Sequence, residues 1–516
     1  MKRKLFPLPR WQEVLNPQAV LGLYGLFMLT GFLLWVPEKG YSDMVNPKFR
    51  LFLYATAVFL VLLTLTLVIQ GLTRKRGSLA PEKTVSKWQR LSRILAAGMM
   101  VWVLLSALLS DFPQVVWLGD RRKEGALTLL AYMLLFLLAS RFWSPGKLTA
   151  MGASLTGMLN FALALAQFLG LNPLRLYPGE LNFHHRGERY SGEYMGTIGN
   201  SDLLSAMLTV LCLYLLGLYC VSKEKDRWIY FAGGLAAWGA LLLSEVTAGP
   251  VAILGCLALL LPLCVAKGLG LRRMGEIVLG LSLLALGKTM LGYTFSQDVL
   301  TIYPAWSGLS WLLLALVLVS LPAMVLLRRL PEGKGYPRLG KAIVLGYILL
   351  ILLVFLFLFF YSGGNETLQS LHDLTRLNPP DTLGSSRIAI WKDAVSLGLD
   401  KPLLGGGPDT YNYRSDLTFT REFPDRPARR TSVDAAHNEY LNLWVNCGLP
   451  AMVLQMALIL AVAVPAAKML DQRRLPLLLP VVGYAIHALF GISQVLVSPL
   501  FYLFMGACCH ALGQQE

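Results

Sequence analysis

His437 and Asn438 stand where a long hydrophilic stretch runs back into an apolar one. Imidazole is the side chain best suited to accept a proton near neutral pH, so His437 is the first candidate for proton transfer. Tyr440, Leu441 and Trp444 follow it at i+3, i+4 and i+7, the spacing of one helix face. A helix is therefore expected to begin near 434–436 and to run past Gly448 and Pro450 into the next apolar segment. His437 would then lie close to a helix N-terminus, whose partial positive charge disfavours imidazolium. A histidine that only caps the helix or anchors it at an interface fits the same position, and residue chemistry alone weighs the two equally.

A second group of candidates is arginine. A guanidinium fork matches phosphate oxygens bidentately. Arg387 lies in Ser385-Ser386-Arg387-Ile388-Ala389-Ile390-Trp391, where a serine N-cap and the spacing of Ile388, Trp391 and Val395 predict a helix with those three on one face. Arg121, Arg122 and Arg189 lie in shorter polar loops. Most loop arginines simply face water; a few converging ones would suit a phosphate-rich substrate. Gly405-Gly406-Gly407 reads as a tight turn before it reads as a phosphate loop. The stretch 418–432 has no helical period and reads as a flexible basic flap. His184, His185 and His372 read as ordinary loop residues, and His487 and His510 lie inside apolar segments. No HExxH, DxD or Walker-type pattern occurs, so neither a metal nor a nucleotide site is expected.

The elements that must position these residues are membrane helices. Of the 516 residues, 55% are hydrophobic and 15% charged, against about 25% charged in a soluble domain. Mean hydropathy is +0.56. About 14 apolar segments are long enough to be read as spans, and the last two (475–492 and 497–513) also fit a single re-entrant pair. The expected fold is thus an all-α integral membrane protein. It divides into an N-terminal bundle of about 11 spans over 1–361, a large polar loop over 362–448 and C-terminal helices over 449–516. The net charge of +16 does not imply nucleic acid, because the bases are dispersed between apolar segments and fit topology determinants and contacts to membrane lipid. Lysine and arginine concentrate in alternate loops. That pattern predicts cytoplasmic termini and places the 362–447 loop, with the loops near 111–124 and 171–200, on the outer side. The seven cysteines lie almost entirely in apolar runs and show no disulfide framework.

His437-Asn438, followed by Gly448 after nine residues, resembles the motif of the O-antigen ligase and polymerase superfamily of bacterial membrane glycosyltransferases. Ala451 stands where that motif usually has glycine, threonine or tyrosine, and Asn446 where many members have glutamate. Arg387 to Trp391 with Pro402-Leu403-Leu404-Gly405 resembles the family's arginine–tryptophan helix and the turn after it. Arg189-Tyr190-Ser191-Gly192 with Gly196-Thr197-Ile198-Gly199-Asn200, and the Gly119–Gly125 loop with Arg121 or Arg122, resemble two further external loops. The resemblance implies a fold like the C-type membrane glycosyltransferases. It also implies metal-independent transfer of a glycan from a polyprenyl diphosphate carrier to a glycan, lipid-core or protein hydroxyl, outside the bacterial cytoplasmic (inner) membrane. His437 and Arg387 are then the expected catalytic residues, and Arg189, Arg121, Arg122, Asn438, Trp391 and Tyr440 the expected substrate-binding ones. Three rivals are a repeat-unit polymerase with the same chemistry, a flippase or other transporter, for which no internal repeat is visible, and a receptor or channel, for which neither a disulfide-stapled ligand domain nor a span with a periodic charge series is visible.

Overall fold

An apolar segment in a bilayer can satisfy its backbone alone only as a helix, and each expected apolar segment is one. The computed structural model describes residues 16–73, 85–169, 171–177, 194–296, 299–423 and 426–513. The first helices are α1 (Pro17–Phe27, continued by a π-turn to Phe32), α2 (Val45–Thr73), α3 (Lys87–Leu108), α4 (Ala126–Phe142) and α5 (Lys147–Phe168). Then follow α6 (Ser201–Val221), α7 (Arg227–Leu243), α8 (Ala248–Lys267), α9 (Leu271–Met290), α10 (Gly308–Arg328) and α11 (Pro337–Phe359). The polar loop carries α12 (Glu366–Thr375), α13 (Leu383–Asp400), α14 (Tyr411–Arg414) and α15 (Glu439–Cys447). α16 (Leu449–Lys468), α17 (Leu475–His487) and α18 (Ser498–Ala511) close the chain.

The protein is an all-α membrane protein, and length qualifies the expected span count. Among the described residues, eight helices (α2, α3, α5, α6, α8, α10, α11, α16) are long and apolar enough to cross a bilayer, and four more are apolar but shorter. α17 has 13 residues and α18 has 14. At 1.5 Å per residue each reaches only about 20 Å, against a hydrocarbon core of about 30 Å. They pack as an antiparallel pair: Arg474 Nε before α17 donates to Ala511 O at the end of α18, and the intervening turn ends at the site described below. α18 is buried almost throughout, with Gly506 seated against Phe136 O and Ala139 of α4. α6 is the most enclosed of the long helices, whereas no part of the apolar window of α11 is buried. An apolar helix exposed all round is stable only with lipid around it.

Two antiparallel hairpins interrupt the helical pattern. β1 (Leu291–Ser296) pairs with β2 (Val299–Pro304), and β3 (Thr418–Phe423) with β4 (Arg426–Ser432). The second replaces the expected flexible flap. Thr418-Phe419-Thr420 alternates polar and apolar residues, a strand period that a search for helical period passes over. Phe419 packs on the loop's own core of Ile390, Ala394, Tyr411, Val433, Ala436 and Val445.

Candidate active site

The helix after His437 starts later than its spacing predicts. α15 begins at Glu439, with Asn438 as N-cap; the Asn438 side chain accepts from Tyr440 N (3.0 Å) and Leu441 N (3.1 Å). His437 is therefore outside the helix, and its φ of +46° is in the left-handed region. That conformation costs a residue with a Cβ on the order of 1 kcal/mol. It is held from both sides. Ala436 N donates to Asn442 Oδ1 at 3.1 Å, and Glu439 N donates to Ala488 O at 2.8 Å.

The far end of α15 is clamped by the glycine turn. Gly406 N and Gly407 N donate to Val445 O (3.0 Å) and Asn446 O (2.7 Å), filling carbonyls that a helix end leaves open. A Cβ on Gly405, at φ +65°, would lie 2.5 Å from the Asn446 backbone. The glycines are needed for this close approach, and their amides serve the helix end.

α13 also departs from expectation. Gly384, Ser385 and Ser386 are left-handed (φ 66°, 58° and 64°), so no serine caps the helix; a left-handed turn delivers the chain to Arg387. The buried stripe is Ile390, Ala394 and Gly398, while Val395 is exposed. The expected face of Ile388, Trp391 and Val395 is one residue out of phase with the packing. Trp391 turns instead toward Phe490, at the α17–α18 turn (6.3 Å between rings). Gly398 lies so close to Trp444 that a Cβ would approach its ring to 2.7 Å, which fixes α13 against α15.

Arg387 and His437 meet at a carboxylate that the motif reading did not single out. Asp202, in the first turn of α6, has Oδ1 3.8 Å from Arg387 Nη2 and Oδ2 3.8 Å from His437 Nδ1. Its helix is set by the 194–200 loop. Lys48 Nζ donates to Thr197 O (2.8 Å), Tyr41 Oη donates to Gly196 O (2.6 Å), and the Asn200 side chain caps α6. The sequence does carry a signal, an acid two residues after a capping asparagine, but that pattern is common at helix starts.

Arg122 completes the group: its Nη2 lies 2.6 Å from Asp434 Oδ1. Arg121 reaches Ser432 Oγ at 3.3 Å. Among the described residues, Arg122 Nε, Arg387 Nε, Trp391 Nε1 and His437 Nδ1 are buried nitrogens with no hydrogen-bond partner. Trp143 Nε1, Trp444 Nε1 and His487 Nδ1 are unpaired as well; buried polar atoms are ordinarily paired. Burial lowers the pKa of His437 below that of an ordinary histidine; Arg122 and Arg387 lower it further, and Asp202 and Asp434 oppose them. The imidazole is thus held neutral chiefly by burial and the arginines.

Beneath the site lies a cavity of about 50 Å³ whose mixed lining includes Glu124, Asp409, Glu439, Tyr484 and Gln455. Tyr132 and Ser493 donate to Glu124 (2.6 Å each), and Tyr484 donates to Glu439 (2.8 Å). Burial raises the Glu439 carboxyl to about 8, Glu124 to about 7 and Asp409 to about 6. None of the three stood out in the sequence, because burial of an acid inside a polar loop leaves no local pattern.

The structure thus brings Arg387 and His437 to Asp202, sets Arg122 on Asp434 near His437, and turns Trp391 to Phe490. It gives Asn438 to the α15 cap, and Tyr440 Oη donates to Ala485 O (2.8 Å). Arg189, with His184 and His185, lies outside the described residues. His372 bonds Leu358 O through Nδ1 (2.8 Å) and joins α12 to α11.

Helices of membrane length, with an arginine–histidine group in a polar loop at one end, define a multi-pass membrane protein with a candidate site there. The O-antigen ligase family model matches residues 295–456, so this segment, less than a third of the chain, is similar to the O-antigen ligase family. The matched segment contains Arg387, Trp391 and His437; Asp202 and Arg122 come from outside it. No curated protein matches the chain.

Proposed function

We propose that this protein ligates a glycan from a polyprenyl diphosphate onto an acceptor hydroxyl, with His437 as general base and Arg387 on the diphosphate. The acceptor oxygen attacks the anomeric carbon as the bond from that carbon to the phosphate oxygen breaks. The leaving diphosphate keeps the electron pair, His437 takes the hydroxyl proton, and a single displacement inverts the anomeric centre. Negative charge grows on the leaving phosphate, and fixed guanidinium donors stabilise it most as the bond breaks. Arg122 and Arg121 extend the cationic wall, with Arg189 assigned to the same diphosphate by its motif. Trp391 offers an apolar face to the sugar or lipid, and Asn438 and Tyr440 fix the histidine and border the acceptor. Asp202 orients the imidazole through Nδ1, leaving Nε2 for the proton; such contacts often tighten only when substrate is bound. The site faces outward from the cytoplasmic (inner) membrane, and both termini are cytoplasmic.

The observation that carries this reading is the left-handed His437 beside Arg387 and Asp202, its pKa lowered by burial. The test uses the full-length enzyme in membranes with a polyprenyl-diphosphate glycan and a hydroxyl acceptor. A positioned base is worth about 10²–10⁴ in rate, so His437→Ala and His437→Gln both lose transfer by that order while still binding the lipid diphosphate. Near-parental turnover by His437→Gln removes the base assignment; near-parental turnover by His437→Ala removes the histidine from the reaction.

A further inference from the structure

Asp202 and Tyr219 lie near opposite ends of α6, about 25 Å apart at 1.5 Å per residue. At the Tyr219 end a cavity of about 490 Å³ opens between α6, α7, α9 and the turn after α10. Ligand sites commonly have volumes of about 300–1,000 Å³. Five cationic side chains line it (Lys223, Arg227, Arg272, Arg273 and Arg328) with two carboxylates, Glu276 and Glu332. Glu276 is taken by Arg328 at 2.5 Å, and Glu332 is shared between Arg272 (3.6 Å) and Lys223 (3.8 Å). Arg273 donates to Ser222 O (2.5 Å) and Tyr219 O at the end of α6. The cavity wall keeps a clear cationic excess.

The placement of two of these arginines deepens the imbalance. Arg272 and Arg273 occupy the first turn of α9, a 20-residue helix whose N-cap is Gly270 at φ +69°, with no side-chain cap. A helix start carries partial positive charge, so cations there are unfavourable and an anion is favourable.

A second cavity, of about 370 Å³, lies between α8, α9, α10 and α11 and is lined almost wholly by apolar side chains, among them Val265, Met274, Leu327 and Leu330. Leu271 lines both cavities. A basic chamber and an apolar cleft meeting at one residue, at the end of a membrane bundle, complement a single amphiphile. We propose that the two cavities hold one anionic glycerophospholipid, its phosphate among Lys223, Arg227, Arg272 and Arg273 and an acyl chain in the cleft. This site is separate from glycan transfer and does not depend on that reading.

The test is native mass spectrometry of the delipidated full-length protein, titrated with phosphatidylglycerol or phosphatidylcholine. One copy of phosphatidylglycerol is expected to bind well below the concentration at which phosphatidylcholine binds. Each basic residue near a membrane surface contributes about 1 kcal/mol to anionic lipid, so Arg227→Gln with Arg272→Gln weakens that copy about thirtyfold. Ala323→Phe, which fills the cleft, weakens dioleoyl but not dihexanoyl phosphatidylglycerol. Equal binding of the two headgroups by the parent protein overturns the proposal, and that comparison stands even where a variant fails to fold. Thermal stabilisation by inorganic phosphate equal to that by phosphatidylglycerol assigns a free-phosphate site and overturns the lipid. Unchanged affinity in the folded double variant overturns the charge assignment.

Discussion

His437 has its protonation set by neighbours of opposite sign, which makes its role separable by pH. Arg122 and Arg387 push its pKa down; Asp202 and Asp434 push it up. A base works only when unprotonated, so the acid limb of the rate profile follows the histidine and falls below the ordinary histidine value of about 6.5. Arg122→Gln removes a cation, stabilises imidazolium and is expected to move that limb to higher pH. Asp202→Asn is expected to move it to lower pH and also to reduce kcat, because the ring loses its orienting carboxylate. A limb that stays put in both variants, measured as kcat/KM between pH 4.5 and 8, assigns it to another group. Arg387→Lys tests the diphosphate role by geometry: lysine keeps the charge and loses the fork. A tenfold or greater loss of kcat at matched expression is expected, and unchanged kcat takes Arg387 off the leaving group. His437 and Arg387 are visible in the sequence as candidates because histidine and arginine are conspicuous at helix boundaries. Asp202 is not, because its role depends on a contact between α6 and residues about 200 positions later, and spacing does not encode such contacts.

Elements place these residues through close backbone approaches. A Cβ on Gly448, at φ +86°, would lie 1.7 Å from Leu403 O. Relief requires α15 to part from the turn at 402–407, so Gly448→Ala is expected to cost more than the roughly 1–3 kcal/mol of a strained backbone position. A lowered melting temperature and lost transfer check this; an unchanged melting temperature shows that the turn yields without cost. The existence of α13 and α15 was legible from period and turn residues, but their phase and start were not. The left-handed residues 384–386 and 437 are imposed by tertiary packing over local capping preference. The β3–β4 hairpin was missed because its alternation spans only a few residues. The buried carboxyls beneath the site join α15 to α17 and to the 119–125 loop, and they link fold to pH. Glu439 at about 8 and Glu124 at about 7 bind protons more tightly when folded than at their ordinary value of about 4.5. Their contribution is complete below about pH 4.5 and is lost as pH rises through about 7–8. Each costs at most about 1.4 kcal/mol per pH unit across that window. The melting temperature is expected to fall between pH 5 and 8.5, and Glu439→Gln to flatten that fall. An equally steep fall in the variant shows that Glu439 is already ionised in the folded protein.

The whole molecule has two unlike ends, and their difference was the most legible feature of the sequence. At one end meet the 111–125 loop, the 194–200 loop and the polar 362–438 stretch. At the other, basic residues tie the helix ends together. Arg93 donates to Ser140 O (2.8 Å), Lys267 to Leu470 O (3.2 Å) and Arg474 to Ala511 O (3.2 Å), and Lys147 pairs with Asp226. These contacts join the ends of α3 and α4, of α8 and α16, of α17 and α18, and of α5 and the turn before α7, so basic residues of alternate loops bond the ends of neighbouring helices. Lysine and arginine are retained on the cytoplasmic side, so we propose that the basic end is cytoplasmic and the His437 end external. Ser396 on α13 and Gln472 at the basic end are exposed. Six of the seven cysteines are buried and Cys220 is half-buried, so the parent protein gives a low background for thiol labelling. In spheroplasts, Ser396→Cys is expected to react with an impermeant maleimide, and Gln472→Cys only after the membrane is opened. The reverse pattern would invert the protein and place the His437 site on the cytoplasmic side, where the proposed outward-facing transfer fails.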